Sequence, residues 1–241
     1  MISASDIHRL VLGHFTRPAT EALAGHQIVV AAYVVPYGDR VLLFDSGLGE
    51  GDPAVDERYQ VVRRPFLPAL AELGLRVEDV RGVVNCHLHF DHCGGNMHLP
   101  GRPIFVQEVE FQAAHDADYT LPSLINFPGA TYEMVRGETE ILPGVRLLPT
   151  AGHVAGHQSL VLSCQEGPVV LAGQAYDDAS GYARADFACS LARSGSPGPM
   201  AEYPAWVRRL QELEPYQVLF AHDLAIWVNE KPRSRLAFPS R

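Results

Sequence analysis

The chain has 241 residues, of which 47% are hydrophobic and 20% charged, so it has the composition of a globular protein that buries a sizeable core. Its formal net charge of −9 and its single lysine argue against a nucleic-acid surface, which needs clustered basic residues. The longest strongly apolar stretch, Ile28–Val35, is too short to cross a bilayer, and the opening residues lack the basic and apolar regions of a signal peptide. We therefore expect one domain over residues 1–241 that binds neither nucleic acid nor membrane.

The first third of the chain alternates strand and helix patterns. Ile28–Val35 and Arg40–Phe44 are apolar runs joined by Tyr37-Gly38-Asp39, which predicts a hairpin. Apolar residues at helical spacing between Phe66 and Leu73 predict a helix that stops at Gly74. The next predicted elements are a strand at Val83–Val84, a strand at Pro103–Val106 and a helix at Glu108–His115.

The segment after Val84 carries three histidines and an aspartate within six residues, His87-Leu-His-Phe-Asp-His92. Imidazole nitrogen and carboxylate oxygen together are a ligand mixture that suits zinc. A strand would point His92 away from His87, and a helix would turn His87 and His89 apart, so we expect a loop. The glycine pair at positions 94 and 95 gives that loop its backbone freedom.

Four cysteines, Cys86, Cys93, Cys164 and Cys189, are spaced without any Cys-x-x-Cys pair. A reduced, cytoplasmic protein is the simplest interpretation. Cys86 and Cys93 flank the histidine motif, and we interpret them as small buried residues beside the site rather than as ligands.

The second half is predicted to contain strands, one long loop and a final helix. Asp178–Pro199 is rich in Ala, Gly, Ser and Pro, which predicts the loop. A stripe of apolar residues between Tyr203 and Leu213 predicts the helix. The predicted strands are Ile141–Leu148, Ser159–Ser163 and Val169–Leu171.

Further histidines follow apolar runs in this half. His153 and His157 come after Val145–Pro149, and His222 comes after Val218–Phe220. A strand that delivers a histidine into the loop at its end is a common way to build a site on a rigid scaffold.

The order of these segments, from Val41-Leu-Leu-Phe-Asp45 through the histidine motif to His222, resembles the metallo-β-lactamase fold superfamily. The resemblance implies an α/β fold, a four-layer αββα sandwich with the metals at one edge between two sheets. It also implies two groups of metal ligands with positions left open for water and substrate. The first group is His87, His89 and His153, and the second is Asp91, His92 and His222.

One position departs from that pattern. Gln174 stands where most dinuclear members of the superfamily have an aspartate that bridges both metals. A neutral amide leaves more repulsion between two dications, so we expect one firmly bound zinc and a weaker second zinc. Asp177 and Asp178 compensate only if the loop folds back.

Within the superfamily, the amino-acid sequences of the motifs resemble those of the N-acyl homoserine lactonase group. The resemblance is carried by the histidine motif with Gly94-Gly95-Asn96, by Gly156-His157-Gln158-Ser159-Leu160 and by Ala221-His222-Asp223. It implies that hydroxide on the metal opens a lactone, that Asp91 also moves a proton, and that Tyr176 donates to the oxyanion. Tyr176 comes two residues after Gln174, whereas relatives place the tyrosine three residues after the aspartate.

His157 and Asp45 are expected to orient ligands rather than to bind metal.

Three functions stay open at this stage. The first is a zinc-dependent lactonase, with an N-acyl homoserine lactone as the best single substrate and a quorum-quenching role. The second keeps the hydrolytic site and changes the substrate to a thioester, a β-lactam or a phosphodiester. The third is a metal-binding relative that is catalytically impaired because Gln174 replaces the aspartate. The sequence does not indicate the oligomeric state.

Overall fold

The computed structural model describes residues 2–49, 51–116, 118–196 and 202–229. Two sheets form its centre. The first has the strand order β4-β1-β2-β3-β5-β6-β7, and the second has the order β13-β12-β11-β10-β9-β8. The strands of the first sheet are β1 (His8–Thr16), β2 (Gln27–Tyr37), β3 (Arg40–Phe44), β4 (Val62–Arg63), β5 (Val80–Val84), β6 (Pro103–Gln107) and β7 (Thr131–Val135). Those of the second are β8 (Thr139–Leu142), β9 (Val145–Pro149), β10 (Gln158–Cys164), β11 (Gly167–Leu171), β12 (Gln217–Leu219) and β13 (Ile226–Val228).

Seven helices connect the strands of the described chain, and several of them pack on the outer faces of the two sheets. They are α1 (Pro53–Tyr59), α2 (Phe66–Glu72), α3 (Phe90–Cys93), α4 (Glu108–Ala113), α5 (Pro122–Ile125), α6 (Ala179–Arg193) and α7 (Ala205–Glu212). Within the part of the chain that is described, no helix is long and apolar enough to cross a membrane.

Successive side chains along each strand pack into different cores, and this alternation creates the layers. In β3, Leu43 packs into a core shared with α2, whereas Leu42 packs into a core between the two sheets. In β11, Val169 faces the same core between the sheets, and Val170 faces a third core shared with α6 and α7. Because successive strand residues point to opposite faces, each sheet buries both sides. The result is the predicted four-layer αββα arrangement.

The predicted hairpin is confirmed, since Tyr37 pairs with Arg40 across a two-residue loop. The prediction of a single strand at Ile141–Leu148 is wrong. Gly144 has a φ of +76°, and the chain turns at this point so that β8 and β9 pair antiparallel. The helix expected at Glu108–His115 ends at Ala113.

The long loop predicted at Asp178–Pro199 is also wrong, because α6 occupies most of it; residues 197–199 lie outside the described residues. Asp178 begins the helix by accepting a hydrogen bond from the Gly181 N–H. Tyr182, Ala185 and Cys189 then form its buried face at helical spacing. Small residues on that face allow the helix to pack closely on the second sheet.

Candidate metal centre

The candidate ligands lie in loops that follow strands of both sheets. His87 follows β5 of the first sheet, whereas His153 and His222 follow β9 and β12 of the second. The loops are held together across the gap by a backbone hydrogen bond of 2.9 Å, in which the Gln158 N–H donates to the Cys86 carbonyl. Residues far apart in the chain therefore meet at one edge of the sandwich.

The histidine motif is fixed by its backbone. The His92 carbonyl accepts the Ser46 N–H at 2.8 Å and the Asn85 side-chain amide at 2.9 Å. A Cβ on Gly94 would lie 1.8 Å from the Gly49 nitrogen, so only glycine allows this contact between two backbones. The motif was expected to be a loop throughout. Its last three residues, together with Cys93, instead form the single turn α3, which places the neighbouring side chains of Asp91 and His92 side by side.

The first group consists of His87, His89 and His153, whose ligand atoms all lie within 4.8 Å of one another. His89 Nδ1 is 3.2 Å from His153 Nε2. His87 is fully buried, and its Nε2 has no hydrogen-bond partner among the described residues. A buried polar atom without a partner is costly, and a cation ligated at that nitrogen would remove the cost. The first group therefore fits a metal.

The second group consists of Asp91, His92 and His222, again within 4.8 Å. Asp91 Oδ2 lies 3.3 Å from His92 Nε2 and 3.4 Å from His222 Nε2. The other nitrogen of His222 donates to the Val29 carbonyl at 2.8 Å, which leaves Nε2 directed at the group. The ring of Phe15 covers His222 edge-on, with centroids 6.1 Å apart.

Electrostatics favour neutral imidazoles in the first group. Burial lowers the pKa of His87 well below its ordinary value and also lowers the pKa of His89. Removal from water, and then the charges of His89 and His92, lower the pKa of His153 to about 4. Neutral imidazole is the form that binds metal. These histidines therefore have the required form at neutral pH.

Asp91 is ionised in spite of its burial. Burial raises the pKa of its carboxyl, but the interactions with His92, and then with His222, outweigh this effect and bring the pKa below its ordinary value. The pKa of His92 lies well above its ordinary value. Burial acts to lower this pKa, but the acidic groups around the ring, Asp45 among them, raise it by more. A carboxylate between two imidazoles is a group that can either ligate a cation or hold a proton.

Asp45 lies at the end of β3 in a left-handed conformation with a φ of +60°. Its Oδ1 accepts the Cys86 N–H at 2.8 Å, and its Oδ2 is 2.9 Å from His92 Nδ1. The same Oδ2 lies 3.1 Å from the Cys86 sulfur. A non-glycine residue held at positive φ is strained, and here the strain accompanies a carboxylate aimed at the site. This position agrees with the orienting role expected for Asp45.

His157 uses both ring nitrogens inside the protein. Its Nε2 accepts the Gln174 N–H at 3.1 Å, so its Nδ1 carries the proton and donates to Thr150 Oγ at 2.8 Å. With both nitrogens engaged, the geometry favours an orienting role over ligation.

The side chain of Gln174 is buried and points to Asp177, with Nε2 donating to Oδ1 at 3.0 Å. Asp177 is in turn paired with Arg17 at 2.9 Å. Asp177 therefore does lie beside Gln174, as compensation for a missing carboxylate would require, but its charge is shared with an arginine.

Tyr176 is not among the side chains that the structure brings together. Its ring packs on Trp206 and Tyr182, with centroids 5.6 Å and 6.1 Å away. Burial raises the pKa of its hydroxyl. Its role as an oxyanion donor stays a prediction, and the ring contacts favour a structural role.

Two residues contact the site although no sequence motif predicts that they do. Glu110 of α4 accepts the Leu88 N–H at 2.7 Å, and the Tyr119 hydroxyl also donates to Glu110. The Tyr119 ring lies 4.7 Å from His89. These contacts depend on how α4 crosses the motif, which no local pattern reveals.

Residues 27–222 match the family model described as the metallo-beta-lactamase superfamily. An N-acyl homoserine lactonase of Bacillus sp. is 34% identical over 203 residues, which are 82% of this chain and 74% of that protein. The N-acyl homoserine lactonase AiiB of Agrobacterium fabrum is 26% identical over 224 residues, 81% of this chain and 80% of its own length.

Solved structures show the same fold. An N-acyl homoserine lactone hydrolase with the product N-hexanoyl-L-homoserine bound at its catalytic metal centre has a TM-score of 0.71 at 23% identity, over 93% of this chain and 94% of that one. A quorum-quenching N-acyl homoserine lactone lactonase has a TM-score of 0.72 at 24% identity, over 99% and 98%.

Proposed function

The chain belongs to the metallo-beta-lactamase superfamily, and from this membership we propose that it is a zinc-dependent hydrolase that opens the ring of an N-acyl homoserine lactone. The observation that carries the proposal is the pair of three-residue groups at one edge of the sandwich. The names of the related lactonases supply the substrate. Opening the ring would remove the lactone as a signal, which is a quorum-quenching role.

In this proposal His87, His89 and His153 hold the first zinc, and Asp91, His92 and His222 hold the second. Zinc would supply a Lewis acid for the acyl carbonyl and water that ionises near neutral pH. Superfamily members are metal-dependent; zinc as the metal is part of the proposal.

The chain's own contribution to the chemistry centres on Asp91. Hydrolysis forms a bond from a water oxygen to the acyl carbon and breaks the ring bond from that carbon to the ester oxygen. The leaving alkoxide must gain a proton. Asp91 Oδ2 is ionised and lies between His92 and His222, so it can take the proton from water and deliver it to the alkoxide.

A cavity of about 780 Å³ next to the site is the proposed place for the acyl chain. One part of its lining is aromatic and apolar, and the rest is polar. The first part is Tyr59, Phe90, Tyr119, Val55 and Leu121, and the polar part includes Arg58, His115, Asp116, Asp118 and Thr120. Phe90 lies inside the histidine motif, and the Tyr119 ring contacts His89. Apolar and aromatic walls beside a polar centre are typical of sites for small amphiphilic molecules.

We further propose a single domain in a reducing, cytoplasmic location. Support for the location comes from the cysteines, since Cys86, Cys93, Cys164 and Cys189 are all buried as free thiols in the described structure.

The proposal is tested by a hydrolysis panel with measured zinc content. We expect zinc-loaded protein to open N-acyl homoserine lactones and to lose this activity when a chelator removes the metal. The panel also contains an acyl thioester and a β-lactam, because both present an acyl carbonyl to the same site.

Turnover of the thioester with inert lactones would replace the proposed substrate and keep the hydrolytic site. If the protein bound no more than trace zinc when zinc was supplied in excess, the metal centre itself would be contradicted. An inert panel with bound zinc would favour an impaired, metal-binding relative.

A further inference from the structure

We propose that the Cys86 thiol is a positioning residue that links the Asp45 carboxylate to His87, so that one buried carboxylate orients a histidine in each ligand group. The inference rests on the proposed metal centre and adds a residue to it. It replaces the interpretation of Cys86 as a small buried residue without a specific role.

The first step is the state of His87. Its Nε2 has no partner among the described residues, whereas its Nδ1 lies 3.2 Å from the Cys86 sulfur. A metal bound at Nε2 requires the ring proton to sit on Nδ1. Cys86 Sγ is then the acceptor for that N–H. Ligating histidines nearly always donate their second N–H to an acceptor, which fixes the ring orientation.

The second step connects the sulfur to the carboxylate. Cys86 Sγ lies 3.1 Å from Asp45 Oδ2, and a thiol can donate its proton to a carboxylate, which only accepts. Asp45 Oδ2 also accepts from His92 Nδ1 at 2.9 Å. Asp45 therefore contacts His92 directly and reaches His87 through Cys86, whose sulfur also lies 3.2 Å from His92 Nδ1.

The third step is that the fold holds the sulfur in place. Cys86 is fully buried. A Cβ on Gly173 would lie 2.4 Å from the Cys86 Cβ and 2.7 Å from its sulfur, so the absence of a side chain at Gly173 creates the space for the thiol. The backbone N–H of Cys86 also donates to Asp45 Oδ1 at 2.8 Å. A residue that served only as filler would need none of these polar contacts.

Cys93 is a matched control. It is also fully buried and directly follows the histidine motif. Its sulfur contacts the Leu88 carbonyl at 3.4 Å and makes no hydrogen bond to a histidine nitrogen among the described residues. Cys86→Ala, Cys86→Ser and Cys93→Ala therefore separate the loss of a buried thiol from the loss of this particular one.

The experiment measures zinc affinity by competition with a chromogenic chelator. We expect Cys86→Ala to weaken the tighter zinc by about 10- to 100-fold, the usual effect of removing such a partner. Cys86→Ser should recover part of the affinity, because its hydroxyl also accepts and donates. Cys93→Ala should bind zinc as the unchanged chain does.

A second readout begins with the unchanged, zinc-loaded protein, for which no variant has to fold, and then compares it with two of the variants. Long-range ¹H–¹⁵N spectra of the histidines should show His87 with its proton on Nδ1, and Cys86→Ser should shift that signal while Cys93→Ala does not. Equal zinc affinity in Cys86→Ala and the unchanged chain, or a His87 proton on Nε2, would overturn the inference. Failure of the unchanged chain to bind zinc would instead contradict the proposed function.

Discussion

Gln174 donates its amide to Asp177, whose other oxygen is paired with Arg17. A carboxylate only accepts hydrogen bonds, so this contact fixes the amide with its nitrogen toward Asp177 and its oxygen directed elsewhere. Residue 174 therefore carries no charge of its own that could lower the repulsion between two cations.

Replacing Gln174 with aspartate should raise the affinity for the second zinc by about tenfold, equivalent to about 1.4 kcal/mol of binding free energy. The added charge attracts the cation. In metal-free protein the same change should lower the unfolding temperature, because two carboxylates would then face each other at positions 174 and 177. Titration with zinc and thermal unfolding in chelator measure the two effects.

The control for this variant is Gln112→Asp, which adds the same charge on the exposed surface of α4. It should change neither zinc stoichiometry nor affinity. If Gln174→Asp also left both unchanged, the charge argument would be wrong.

Glu110 is a residue of α4 that stabilises the histidine motif from outside it. Its Oε1 accepts both the Leu88 N–H and the Tyr119 hydroxyl. Glu110→Ala should reduce the free energy of unfolding by about 1–3 kcal/mol, since it leaves a buried backbone N–H without a partner. Denaturant unfolding measures this loss, and kcat/KM should fall with it because the loop between His87 and His89 loosens.

Glu108, on the same helix, provides the comparison. It pairs with Arg136 at the surface, and exposed ion pairs contribute little. Glu108→Ala should therefore leave both stability and activity close to those of the unchanged chain. Equal effects of the two substitutions would mean that Glu110 has no special role.

At the level of elements, the sequence predicts what local periodicity encodes. The apolar runs of β2 and β3 and the stripe of α7 were identified for this reason. Helix α6 was missed because its buried face is built largely from alanine and cysteine, which give little contrast with the exposed Ala, Ser and Arg around them. Strand β7 was missed because most of its side chains are exposed, so it shows no apolar alternation.

At the level of the whole molecule, the resemblance of the motifs predicted the αββα layers, and the order of histidines after strands predicted their convergence. The roles of Cys86 and Glu110 could not be predicted, because their contacts join elements that are distant in the chain. Such contacts follow from packing angles between layers, which a linear pattern does not contain.

The buried histidines make the metal-free protein sensitive to acid. Burial lowers the pKa of His157 well below its ordinary value, and burial lowers the pKa of His87 and His222 as well. An unfolded chain then binds more protons than the folded one as the pH falls through about 6.5, so stability is lost in that direction. His92, with a raised pKa, acts in the opposite direction, but it is outnumbered by these three and by His89 and His153, whose pKa values are lowered as well.

We therefore expect the unfolding temperature of chelator-treated protein to fall between about pH 8 and about pH 5, above the range where ordinary carboxylates titrate. His157→Gln should flatten this dependence, whereas His8→Gln, at an exposed position in β1, should not. A constant unfolding temperature across that interval would show that these imidazoles are not desolvated as described.

The ligand groups draw on both halves of the sandwich: His87, His89 and His92 leave the first sheet, and His153 and His222 leave the second. A cation held there would cross-link two layers that are otherwise joined at this edge by backbone contacts such as Gln158 to Cys86. Loading the centre should therefore slow amide exchange in β5 and β12 together, as a single cooperative event. The metal would in that way contribute to the mechanical integrity of the fold as well as to its chemistry.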